Sequence, residues 1–209
     1  AVPLEGKIER VDEMYARGVR MAALLWNYEN SLGFPNSPDA REHAKPLKPF
    51  GREAVERMNE LGIIVDVSHL SEGGFWDVAD ISRKPFIASH SCARALCDHS
   101  RNLTDAQLRA VAEHGGIVGV NFNSGFLNGR EDYTPNADIV RHMDYIRQKA
   151  GIESVALGSD FDGIDCALEL RDCAGLPSLA GAMESAFTDD EIDLISSKNA
   201  LRVLRDTVG

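Results

Sequence analysis

Residues 63–102 read IIVDVSHLSEGGFWDVADISRKPFIASHSCARALCDHSRN, and the fold is decided here. Two short apolar runs, residues 63–67 and 85–89, each lead into a histidine, His69 and His90. Between them residues 71–81 read as a helix: Ser71 stands at its cap, and Phe75, Val78, Ala79 and Ile81 make a partial apolar face. A strand, a helix and a strand of these lengths form a βαβ unit, with parallel strands and a right-handed crossover. Both histidines then fall at C-terminal strand ends, the side of an α/β sheet where chemistry collects. Two imidazoles converging there form a candidate metal pair.

Outward from this unit, residues 49–61 (PFGREAVERMNEL) read as a helix closed by Gly62, and residues 27–48 as a long polar loop. Residues 21–26, MAALLW, are a continuous apolar run that suits a buried strand. Before it, Leu4, Ile8, Val11 and Met14 recur at helical spacing over residues 4–17, with Gly18 as the stop. On the other side, Thr104 with Gln107 opens a helix over 104–114 by a capping box. Residues 117–122 (IVGVNF) are a buried strand, a polar loop covers 123–135, and a helix covers 137–150. Residues 155–160 (VALGSD) form the last strand and open into the turn Phe161-Asp162-Gly163. A loop with Cys166 and Cys173 leads to helices over 178–187 and 188–207, the second starting at Thr188 with Glu191.

Five strands alternating with helices are the pattern of a parallel α/β barrel. A complete (β/α)8 barrel takes about 250 residues, and five units with one long loop already fill these 209. The sheet is therefore either open and doubly wound, or a (β/α)8 TIM-type barrel of which this chain supplies about the last five units. The chain opens on a helix with no strand before it, which favours the second. Residues 1–209 read as a single domain, without linker, repeat or low-complexity segment.

The net charge of −11 and the absence of a basic stripe argue against nucleic acid as a partner. No apolar run is long enough to span a membrane and no signal-peptide pattern opens the chain, so a cytoplasmic protein is expected. The four cysteines lack CxxC spacing and read as reduced thiols, with a Cys166–Cys173 bridge left open as an alternative.

Each candidate residue has a plain structural alternative. A lone strand-end histidine is commonly a hydrogen-bonded structural group, but His69 and His90 on adjacent strands balance that against metal ligation. Asp160, in GSDFDG, suits a turn or cap; on the same rim it also suits a metal ligand that takes a proton from water. Arg101 suits either a surface ion pair or bidentate capture of a substrate carboxylate. His99 is expected in solvent, and His43, His114 and His142 receive no role. Trp26 and Asn27 point to the rim. Ser91 has no G-x-S-x-G elbow around it.

The ordered set DVSHLS, SRKPFIASHSCARALCDHSRNLTD, GIVGVNF and GSDFDG resembles the renal (membrane) dipeptidase family of zinc dipeptidases, a family of amidohydrolase-type metal barrels. The segments LLWNYENSLGFPN and PFGREAVERMNELG look like those of bacterial members, so the resemblance runs along essentially the whole chain. It implies a (β/α)8 barrel with two Zn2+ ions, His69 and His90 holding one and Asp160 on the other, where it also accepts the proton of the bridging water. Arg101 matches the arginine that binds the C-terminal carboxylate of the dipeptide. A metal-bridging hydroxide would then attack the peptide carbonyl. The family's His-x-Asp pair and bridging glutamate have no match here; Glu5 lies in helix-like sequence, and Trp26 stands where mammalian members have a substrate-contacting histidine. The alternative is a catalytically incomplete fragment or binding module, needing a complementary N-terminal segment or a second copy. Another amidohydrolase, a deaminase or lactonase, is the remaining reading, and Arg101 argues against a deaminase.

Overall fold

The structure, a computed structural model, describes residues 4–130 and 132–208; Ala1 lies outside them. In chain order the elements are α1 (Glu9–Ala16), β1 (Met21–Ala23), α2 (Ala40–His43), α3 (Pro49–Leu61), β2 (Ile64–Asp66), α4 (Glu72–Ile81), α5 (Asp105–Glu113), β3 (Val118–Val120), α6 (Ser124–Leu127), β4 (Tyr133–Thr134), α7 (Asn136–Ala150), β5 (Val155–Leu157), β6 (Ala167–Leu168), α8 (Leu176–Met183), α9 (Asp189–Asp193) and α10 (Asn199–Val208). The chain divides into two compact units, residues 1–88 with 113–116 and 202–209, and residues 89–112 with 117–201.

In the first unit β2 is the centre. β1 runs parallel to it, with Met21 opposite Ile64 and Ala23 opposite Asp66. On the other edge Asp66 bridges Ile87 in parallel, the Ile87 N–H donating to Val65 O and the Val67 N–H to Ile87 O. This is the βαβ unit expected from residues 63–89, with α4 as its crossover. Ser71 caps α4 by accepting the Gly74 N–H at 3.1 Å. α3 starts with Pro49 at its first position and stops at Gly62, which takes the left-handed conformation (φ 76°) that glycine adopts without steric cost. Its apolar stripe, Ala54, Val55 and Met58, is fully buried, as are Phe75 of α4 and Phe86, which meet edge to face at 5.7 Å.

The run at residues 21–26 departs from expectation. Only Met21–Ala23 forms a strand, and it is not buried: Met21 and Ala23 are exposed while Leu24 and Leu25 leave the ladder and turn into the core. The alternation follows from a strand whose two faces have different surroundings. The loop at 27–48 holds a turn of helix, α2, and an antiparallel bridge from Pro35 to Leu70.

In the second unit β3 and β5 pair in parallel, Val118 opposite Val155, and the Ser91 N–H donates to Gly119 O on β3. Gly119 is required by close approach, since a Cβ there would lie 2.1 Å from Ser89 O. Thr104 and Gln107 form the expected reciprocal cap before α5. Within residues 188–207 the helix is continuous but contains a π turn at Leu194–Lys198. After that turn, Asn199 reaches back to the carbonyls of Ile152 and Val155, both at 2.8 Å. The parallel pair β4–β6 was not legible, because two-residue strands carry no periodicity. α8 covers Leu176–Met183 rather than 178–187. All four cysteines are free, so the Cys166–Cys173 bridge does not form. No helix among the described residues is long and apolar enough to cross a membrane.

Candidate metal and substrate site

In the first unit His69 follows β2 in a tight turn, Leu70 N–H to Val67 O at 3.0 Å, and its φ is 70°. That left-handed backbone is uncommon for a side chain larger than Asn and is held here from outside. The His69 carbonyl accepts the Asn36 backbone N–H at 2.7 Å and the Asn36 amide at 3.3 Å. Its ring is oriented by Asn27, whose Oδ1 lies 2.9 Å from Nδ1. An amide oxygen accepts only, so Nδ1 is the donor in this contact. Asn27 thus contacts the His69 ring, whereas Trp26 is 62% exposed and packs edge to face on Tyr28.

In the second unit His90 and Asp160 each follow a segment of the β3 ladder: His90 lies next to Ser91, which bonds Gly119, and Asp160 follows β5. His90 Nδ1 lies 2.7 Å from Ser89 Oγ. Asp160 has φ 59°, so two of the three expected strand-end ligands, His69 and Asp160, are among the three non-glycine residues with positive φ among the described residues. Asp160 Oδ2 accepts from Asn121 Nδ2 at 3.0 Å. Its Oδ1 lies over Gly163, where a Cβ would come within 2.2 Å. The carboxylate is thus set by one donor and one deliberate gap.

Arg101 is buried, 7% exposed. It is not a surface ion pair: Nη2 donates to His90 O at 3.2 Å and the guanidinium stands over the Phe126 ring at 5.6 Å. His99, expected in solvent, is half-buried against that same ring. Burial, then the Arg101 and Arg94 cations, hold its imidazole below the usual range, against a smaller opposing effect of Asp98. The histidines left without a role are structural. His142 is fully buried, accepting the Ala93 N–H at Nδ1 and donating from Nε2 to Leu127 O. His43 accepts the Ser37 N–H and His114 packs on Phe86.

Taken singly, each side chain is of a kind that zinc accepts, the His69 imidazole in the first unit and the His90 imidazole and Asp160 carboxylate in the second. They do not make a closed set: among the described residues no group of three or more His, Cys, Asp or Glu side chains is arranged to hold a metal ion. Reading residue types along strands missed Asn121, Gly163 and Phe126. Asn121 had a signal, a polar residue inside the apolar run IVGVNF; Phe126, in a polar loop, had none.

A model of the membrane dipeptidase family, peptidase family M19, matches residues 1–208. A protein encoded 5′ of pqqA in Klebsiella pneumoniae is 43% identical over 211 residues, covering 96% of this chain and 77% of that protein. The dipeptidase tcpJ of Claviceps purpurea is 32% identical over 191 residues, 90% of this chain and 45% of that one. Among solved structures, an M19 metallopeptidase named dipeptidase AC superposes with a TM-score of 0.89 at 33% identity, covering 98% of this chain and 61% of that one. A Rhodobacter sphaeroides metallopeptidase, solved with a phosphinate mimic of the dipeptide L-Ala-D-Ala, gives 0.88 at 33% identity, with 97% and 60% covered. The chain thus spans about three-fifths of these solved relatives and just under half of the Claviceps protein.

Proposed function

The chain belongs to the membrane dipeptidase family and is by family a metallopeptidase-type hydrolase, and from that premise we propose that it is the metal- and carboxylate-binding portion of a zinc dipeptidase. In this reading residues 1–209 form one domain, the last five units of a (β/α)8 barrel, and work in the cytoplasm. His69 and His90 hold one zinc, Asp160 the other, and Arg101 takes the C-terminal carboxylate of a dipeptide. Bound zinc would polarise the scissile carbonyl and make water a stronger acid. Asp160 removes the proton of the attacking water, and the leaving amine is protonated in turn. Arg101 fixes the substrate end from which the scissile bond is measured.

The observation that carries the reading is Asp160: a carboxylate at the end of a parallel strand, in a left-handed turn, oriented by a buried amide. The family's His-x-Asp pair and bridging glutamate find no counterpart in this sequence, so the reading assigns them to a complementary N-terminal segment, with a homodimer as the other arrangement. Native mass spectrometry with metal analysis tests this. Two zinc ions per complete enzyme and zinc-dependent hydrolysis of dipeptides are expected, with Asp160→Asn lowering kcat by about 10²–10⁴-fold. A His69→Ala enzyme with unchanged zinc content and activity overturns the assignment.

A further inference from the structure

Arg101 is held by α6, a segment more than twenty residues away in sequence. Asn102, fully buried, sends its amide to Cys97 O at 2.9 Å and Phe126 O at 2.7 Å, stapling the 97–102 turn onto α6. From the other side, His142 Nε2 and Arg141 Nη2 both donate to Leu127 O at 2.9 Å. These bonds set the Phe126 ring against His99, 4.6 Å between ring centroids, and 5.6 Å from the Arg101 guanidinium carbon. The Arg101 backbone N–H donates to His99 Nδ1 at 3.1 Å.

We propose that Phe126 and His99 form a positioning clamp for Arg101, which aims the guanidinium and makes the site selective for substrates with a free carboxylate. The proposal rests on the reading of Arg101 as the carboxylate anchor. An arginine side chain has many rotamers, and ordering it at the moment of binding costs affinity that a preformed aim avoids. The negative face of an aromatic ring attracts a guanidinium and limits its rotation. The imidazole completes the clamp by accepting the N–H that opens the residue, which it does only as the neutral base; burial with Arg101 and Arg94 nearby favours that form, and Asp98 opposes it. Neither Phe126 nor His99 is asked to touch the reacting atoms.

Two readouts test the clamp. In NMR spectra of the 15N-labelled complete enzyme, the Arg101 Nε–H signal is expected to be resolved and slow to exchange. Phe126→Leu should broaden it by exchange, and Phe126→Tyr, which keeps an aromatic face, should restore it. An Arg101 signal that Phe126→Leu leaves unchanged overturns the clamp, whatever catalysis does. In the complete zinc-loaded enzyme, Phe126→Leu should raise KM for a dipeptide about fivefold at unchanged kcat, the weight of one partly desolvated cation–π contact. KM for the corresponding dipeptide amide should not move. If Arg101→Gln leaves the dipeptide-to-amide ratio unchanged, the carboxylate-anchor reading fails, and the NMR result still decides the clamp. If Arg101→Gln changes the ratio and Phe126→Leu does not, the selectivity assigned to the clamp is overturned.

Discussion

Asn121 donates from Nδ2 to Oδ2 of Asp160 at 3.0 Å, tying the end of the β3 segment to the residue that follows β5. Asn121 is fully buried and its own Oδ1 accepts the Asn123 N–H at 2.7 Å, so the amide has one orientation. An amide nitrogen can only donate, and Oδ2 is therefore held as an acceptor. Outer partners of metal ligands typically account for 10–100-fold in affinity. Asn121→Leu is expected to weaken zinc binding by about that factor, measured by competition with a chromogenic chelator. Equal affinity in the variant would mean that Asp160 needs no orientation from Asn121, or is no ligand.

Gly163 serves the same carboxylate by having no side chain. A Cβ at this position would meet Asp160 Oδ1 at 2.2 Å, well inside any real contact. Gly163→Ala should displace the carboxylate while sparing the fold, because Gly163 and its neighbour Asp162 are exposed. Loss of metal with a thermal midpoint within a few degrees of wild type is the expected pair of results. Retained metal would place the aspartate's working oxygen elsewhere.

His142 makes the fold sensitive to acid. Burial, first of the causes, lowers its pKa to about 4, with Arg141 adding to the effect and the Leu127 hydrogen bond and Asp138 opposing it. The unfolded imidazole titrates near ~6.5. Between that pH and about 4 the unfolded chain takes up a proton that the folded one refuses, so stability present at pH 7 is lost as pH falls through this window. The contribution is on the order of 3 kcal/mol. His142→Gln keeps one acceptor and one donor with no proton to gain. Urea denaturation at pH 7 and pH 4.5 should show a smaller loss of stability in the variant; identical losses would exclude His142 as the source.

Ser71 ties two segments of the first unit together. Fully buried, it accepts the Gly74 N–H as the cap of α4 and donates to Lys45 O at 2.7 Å, joining the helix start to the long loop. Ser71→Ala strands both groups and should cost about 2 kcal/mol. The measurement is the urea midpoint, and a shift under a quarter of that size would mean water replaces the hydroxyl.

Legibility divided along the range of the forces. Ser71, Pro49, Gly62, Thr104 with Gln107 and Thr188 with Glu191 act on backbone groups within four residues, so the helix starts and stops could be read from composition and spacing alone. The strand-end positions of His69, His90 and Asp160 followed from the same local patterns. The exposure of Met21, the burial of Arg101 and His99, the ring of Phe126 against both and the grip of Asn121 on Asp160 depended on segments 25 to 43 residues apart in the chain meeting in space. Side-chain burial and hydrogen-bond direction are properties of those meetings, and no local period encodes them.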